Sequence, residues 1–81
     1  KEPKFVIILG NFYNLESAQI LRKRVKTESE TLKNKKISII KKNKHNFEVF
    51  LGPYKTIKTM KNDYIALKLI NFDEVDIKIY E

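Results

Sequence analysis

The sequence predicts an α+β domain in the order β-α-β-β-α-β, with a four-stranded antiparallel sheet and both helices packed on one of its faces. Three observations carry this prediction. A Leu-Gly-x-aromatic signature occurs twice, as Leu9-Gly10-Asn11-Phe12 and as Leu51-Gly52-Pro53-Tyr54, with the glycines 52 − 10 = 42 positions apart. Each copy closes a short run rich in β-branched and aromatic residues, Phe5 to Leu9 and Phe47 to Leu51. Each is followed by a capping residue, Asn14 or Thr56, and then by apolar residues at helical spacing.

The elements follow in order. A first helix over about Leu15 to Lys26 gathers Ala18, Leu21 and Val25 into one stripe, and a second over about Ile57 to Ile70 does the same with Met60, Tyr64 and Leu67. Ala18 and Met60 both lie eight residues beyond their glycine, and Val25 and Leu67 both fifteen beyond, which supports a duplicated unit. A further strand ends each half, Lys36 to Lys41 and Val75 to Tyr80, the latter alternating Val75, Ile77 and Ile79 with Asp76 and Lys78. Lys42 to Asn46 joins the halves, giving the ferredoxin-like arrangement also used by RNP modules. Thr27 to Lys35 reads either as a continuation of the first helix or as a loop.

Because strand side chains alternate, Ile7, Leu9, Ile37, Ile39, Val49, Leu51, Ile77 and Ile79 are expected beneath the helices. The opposite face is expected to be free and to carry Val6, Ile8, Ser38, Ile40, Asn46, Glu48, Phe50, Asp76, Lys78 and Tyr80.

With 81 residues there is room for one domain, expected over 5–81, and residues 1–4 read as the end of a polar linker from a longer protein. Cysteine is absent, which excludes disulfides and thiolate metal sites. The longest apolar run, Phe5 to Leu9, is far short of the roughly 20 residues of a membrane-spanning helix. A net charge of 17 − 10 = +7 favours acidic partners, and ten of the basic residues fall between Arg22 and Lys44. The ordinary account of such a cluster is a solvated surface; attraction to an anionic wall polymer or lipid headgroups is the functional one.

The segment Ile7-Ile8-Leu9-Gly10-Asn11-Phe12 with Ala18 and Val25, and the segment Phe47 to Tyr54 with Met60 and Leu67, resemble the two half-signatures of the SPOR (sporulation-related) domain family. The first strand of that family commonly reads Val-Gln-x-Gly-x-Phe and the third Arg-Val-x-x-Gly-Pro-Phe. The resemblance spans roughly residues 5–80 and is most specific at Gly52-Pro53-Tyr54. It implies a noncatalytic domain of a bacterial envelope protein, periplasmic or exposed at the envelope, that binds peptidoglycan glycan strands stripped of their peptides and so directs its parent to the division septum. This chain departs from the pattern where the family often has glutamine, arginine and an aromatic, carrying Ile8, Glu48 and Asn46. Glu48 would repel a carboxylate-bearing glycan unless paired, and Lys78 on the same face is a candidate partner.

Sugar recognition combines an apolar platform with amides and hydroxyls at its rim. The candidate residues are Ile8, Asn11, Asn14, Ser38, Ile40, Asn46, Glu48, Phe50, Lys78 and Tyr80, with Phe50 and Tyr80 as platforms. The competing account makes Phe12 and Tyr54 core plugs and Asn14 a helix cap. Val6, Ile8, Ile40 and Phe50 would together form an exposed apolar patch, which opens a second function: protein interaction or self-association on the same fold, with glycan binding lost. Nucleic acid is not an expected partner, because the aromatic consensus of RNA-recognition strands is missing. Neither catalysis, metal nor cofactor is expected. His45 is the sole histidine and lies in a Lys-Asn-rich turn, and Glu48 with Asp76 would sit on an open sheet without the cleft that carboxylate catalysis requires.

Overall fold

The computed structural model describes residues 4–72 and 75–80, the side chain of Tyr80 excepted. Its elements are β1 (Lys4–Phe12), α1 (Leu15–Glu28), β2 (Ile37–Asn43), β3 (Asn46–Tyr54), α2 (Ile57–Leu69) and β4 (Asp76–Tyr80). The four strands form one antiparallel sheet in the order β2-β3-β1-β4. The order of elements and the antiparallel sheet are those the sequence predicts. Of the linker expected at residues 1–4, Lys4 opens β1 and the rest lies outside the described residues.

The duplication is visible in the element bounds. β1 and β3 start at residues 4 and 46 and end at 12 and 54, and the helices start at 15 and 57, a constant offset of 42. Both caps form: Asn14 Oδ1 accepts from Ser17 N–H at 2.9 Å, and Thr56 Oγ1 accepts from Thr59 N–H at 3.2 Å. Each takes up an amide that the first helical turn leaves unpaired.

Each glycine also adjoins an irregularity of its own strand. Between the pairs Ile8↔Phe50 and Gly10↔Val49, β1 carries an extra residue; between Phe5↔Tyr54 and Ile7↔Leu51, the extra residue is on β3, in the segment that includes Gly52. Such bulges bend a strand and shift its alternation. The first one turns Asn11 onto the face opposite the helices, directly across from Glu48.

The two glycines are required for different reasons. Gly52 has φ 123°, and a Cβ there would lie 2.9 Å from the Phe5 carbonyl oxygen and 3.2 Å from Val6 Cγ1. A side chain is excluded both by conformation and by space. A Cβ at Gly10 would meet the Phe12 ring at 3.3 Å, a side chain that can shift.

Ile7, Leu9, Ile37, Val49 and Leu51 pack under Ala18 and Val25 of α1 and Met60 and Leu67 of α2, with Ile39, Leu21 and Tyr64 partly buried against them. Both helices therefore cover one face. Tyr54 belongs to this core and Phe12 packs against it, as the plug account expects.

Two core expectations are corrected. Ile77 and Ile79 pair with Ile7 and Phe5 but remain exposed, because β4 is an edge strand whose principal neighbour is β1, whereas the helices pack on β1, β3 and, for α1, β2. Val6 and Ile8, expected in an exposed patch, are buried at 2% and 4% exposure. Both stand on central strand β1, where Lys78, Gly52 and Phe50 flank them from the neighbouring strands.

The stretch 27–35 proves to be both alternatives in succession. Thr27 and Glu28 complete α1, Ser29 N–H closes it on the Val25 carbonyl at 3.0 Å, and a turn follows. Leu32 of this turn is fully buried in the core, held by its N–H donating to Ser29 Oγ at 3.2 Å.

Candidate functional site

The face turned away from the helices is organised in rows set by strand register. One row crosses the sheet as Ser38, Phe50, Ile8 and Asp76, and the next as Ile40, Glu48 and Asn11. Lys78 stands beside Val6, and Asn46 opens β3 opposite Asn43. Sequence-expected site residues thus fall on adjacent rows of three strands. Phe50, Ser38 and Asn46 are half-buried, Ile40, Asn11 and Lys78 are exposed, and Ile8 lies beneath the surface as a floor. Asn14 stands apart from the rows, at the start of α1, with Oδ1 occupied by the cap. The backbone of Tyr80 pairs with Lys4, and its side chain lies outside the description.

Glu48 is the electrostatic centre of the face. Glu48 is 3% exposed, yet its carboxylate meets two cations: Lys42 Nζ is 3.5 Å from Oε1 and Lys78 Nζ 3.9 Å from Oε2. At these separations the contacts are ionic, and Oε1 makes no hydrogen bond among the described residues. A buried carboxylate is tolerated when countercharges compensate its lost hydration. The consequence is positional, since two ammonium groups that would otherwise roam on flexible stems are drawn to Glu48, in the row next to the one containing Phe50. Lys78 was anticipated as a partner; Lys42 was not, because its position depends on the irregular pairing between Lys41 and Asn43.

A second feature escapes sequence reasoning. Tyr13, just after β1, and His45, in the turn between β2 and β3, stack with ring centroids 4.5 Å apart and planes within 4°. Both are exposed. Only the topology, which brings the end of β1 beside the β2–β3 turn, reveals this pair.

Chemically the face offers an aromatic ring at Phe50, amide and hydroxyl groups at Asn11, Asn46 and Ser38, and the two ammonium groups. This is a set for holding a polar, ring-containing ligand edge and face. Among the described residues no three His, Cys, Asp or Glu side chains gather as metal ligands, and no helix is long and apolar enough to cross a membrane. Among the described residues, the one strongly perturbed titration lies in the core. Burial first, then the hydrogen bond to Asp63 and its negative charge, push the Tyr54 phenol far above its usual range.

The fold and this face define a small sheet-surface binding domain. The chain belongs to the SPOR domain family, whose profile matches residues 1–75. That family is one of peptidoglycan-binding rather than catalytic domains and occurs in periplasmic and cell-envelope proteins, which gives the chain a binding role in general. Among solved structures, the SPOR domain of RlpA from Pseudomonas aeruginosa is similar at TM-score 0.63 and 17% identity, over 91% of this chain and 96% of that one. At that identity the likeness bears on the fold. No curated protein matches the sequence.

Proposed function

We propose that the domain binds peptidoglycan glycan strands stripped of their stem peptides through its helix-free sheet face, and thereby directs a parent envelope protein to the division septum. The observation that carries this reading is the row Ser38–Phe50–Ile8 beside the Lys42–Glu48–Lys78 cluster. A half-buried ring supplies an apolar surface for a pyranose face, and the fixed ammonium groups supply donors for hydroxyl, acetamido and lactyl carboxylate oxygens. Pairing of Glu48 with two lysines answers the repulsion expected from an acidic residue at this position. Asn11, brought onto the face by the β1 bulge, adds an amide at its rim.

The test is sedimentation of the purified domain with sacculi, untreated and after amidase removal of stem peptides, together with the location of a fluorescent fusion in dividing cells. Retention on amidase-treated sacculi and a septal signal are expected. No retention on either preparation, with concentration-dependent dimerisation, would instead favour a protein-interaction role on the same fold.

A further inference from the structure

The helix layer carries a surface that glycan binding on the sheet does not use. A groove of about 660 Å³ runs between α1 and the turn that follows it, lined by Arg22, Lys23, Lys26 and Lys33 with Gln19, Thr27 and one acid, Glu30. A shallower depression of about 280 Å³ adjoins it, lined by Ile20, Arg24 and Glu28 and sharing Lys23 and Thr27 with the groove. The two depressions therefore meet at Lys23 and Thr27, and Ile20 is the large aliphatic side chain in the second. Glu28 adds little negative charge, since its Oε2 is held 2.6 Å from Arg24 Nε.

Ile20, Lys23 and Thr27 succeed one another at spacings of three and four, the repeat of one helix face, and Ile20 is 62% exposed. On α2, Lys58, Lys61, Ile65 and Leu69 repeat the pattern, with Ile65 51% and Leu69 79% exposed. Both helices bury their other sides against the same sheet face, so these outward stripes share one side of the molecule. A solvated charged surface accounts for the lysines; what distinguishes this side is that Ile20, Ile65 and Leu69 stand at helical spacing in the same stripes as those lysines. A soluble polyanion would use the groove and ignore Ile20, Ile65 and Leu69.

We propose that the outer face of the helix layer is a docking surface for an anionic phospholipid bilayer. Lipid phosphates enter the Arg22–Lys23–Lys26–Lys33 groove, and Ile20 and Leu69 enter the interface between headgroups and acyl chains. Charge complementarity provides the attraction and the aliphatics the distinction from other polyanions. The surface lies opposite the sheet face, so a domain seated on a membrane would present its Phe50 side outward.

Vesicle co-sedimentation tests this with phosphatidylcholine alone and with about one-third phosphatidylglycerol. Pelleting only with the anionic vesicles, and release as salt rises through roughly 0.15 M, are expected. Lys23→Glu with Lys26→Glu should weaken binding about tenfold or more, and Ile20→Ser with Leu69→Ser by about threefold or more. Thermal melting of each variant checks the fold, and Lys26→Gln replaces any double variant that melts early. Absence of pelleting with anionic vesicles would overturn the proposal. So would unchanged binding in the Ile20→Ser/Leu69→Ser variant, or capture of sodium polyphosphate without retention on vesicles, which would assign the groove to a soluble polyanion.

Discussion

Tyr54 Oη donates a 2.6 Å hydrogen bond to Asp63 Oδ2, and both residues are buried between β3 and α2. Lys35 Nζ approaches the other carboxylate oxygen at 3.9 Å from the turn after α1. The pair thus ties the second half's signature aromatic to its own helix and adds a contact from the first half. Removing the phenol by Tyr54→Phe leaves Asp63 buried without its nearest donor, at an expected cost of about 1–3 kcal/mol in denaturant unfolding. The pH dependence has a definite sign. The folded phenol holds its proton well above the unfolded value of about 10, so the folded state binds more protons than the unfolded one above that pH. Stability from the pair is complete below about pH 10 and falls as pH rises further, by at most about 1.4 kcal/mol per pH unit. Tyr54→Phe should lack this alkaline component; an identical alkaline slope in the variant would assign it to other groups.

Gly52→Ala and Gly10→Ala should separate, although sequence treats the two glycines as equivalents. At Gly52 the backbone conformation and the Phe5 carbonyl both oppose a methyl group, and a loss of about 1–3 kcal/mol or more is expected. At Gly10 the Phe12 ring can yield, and the loss should stay below about 1 kcal/mol. Equal melting shifts for the two variants would show that the β3 irregularity relaxes.

Leu32→Ala should cost about 2–5 kcal/mol, the usual range for emptying a fully buried leucine site. This residue marks a limit of what the sequence discloses. The duplicated strands, caps and helices were legible because their signals are local: a glycine, a capping side chain and apolar spacing within fifteen residues. Leu32 is a single apolar residue among Glu, Thr, Lys and Asn, and nothing local says that its turn folds back over the core. Asp63 likewise reads as a surface acid until Tyr54 is seen beside it. On the candidate site, alternation assigned Phe50, Ser38 and Glu48 to one face correctly. It could not reveal that Val6 and Ile8 are covered, that Lys42 reaches Glu48, or that Tyr13 meets His45, since each depends on neighbours distant in the chain.

Phe50→Ala tests the proposed glycan face directly. The ring is half-buried on the outer side of the sheet and is not part of the helix-covered core, so the variant should fold. Retention on amidase-treated sacculi should fall by about fivefold or more, corresponding to roughly 1 kcal/mol of ring contact. Lys42→Ala should weaken retention less and leave Lys78 beside Glu48. Undiminished retention in Phe50→Ala would remove the aromatic platform from the binding account.

Asn14→Ala and Thr56→Ala examine whether the duplicated halves share their energetics as well as their geometry. The two caps occupy equivalent positions, each accepting from the amide three residues on, and Asn14 makes the shorter bond. Each substitution should cost about 1 kcal/mol, or about 4–8 °C in melting temperature for a domain of this size. Thr56 Oγ1 also lies 2.8 Å from Thr59 Oγ1, so Thr56→Ala loses a second contact that Asn14→Ala has no counterpart for. Thr56→Ser keeps the hydroxyl and should recover most of the loss, whereas Thr56→Val keeps the shape and should not. A Thr56→Val variant as stable as the parent would mean that side-chain packing, rather than the cap, sets the start of α2.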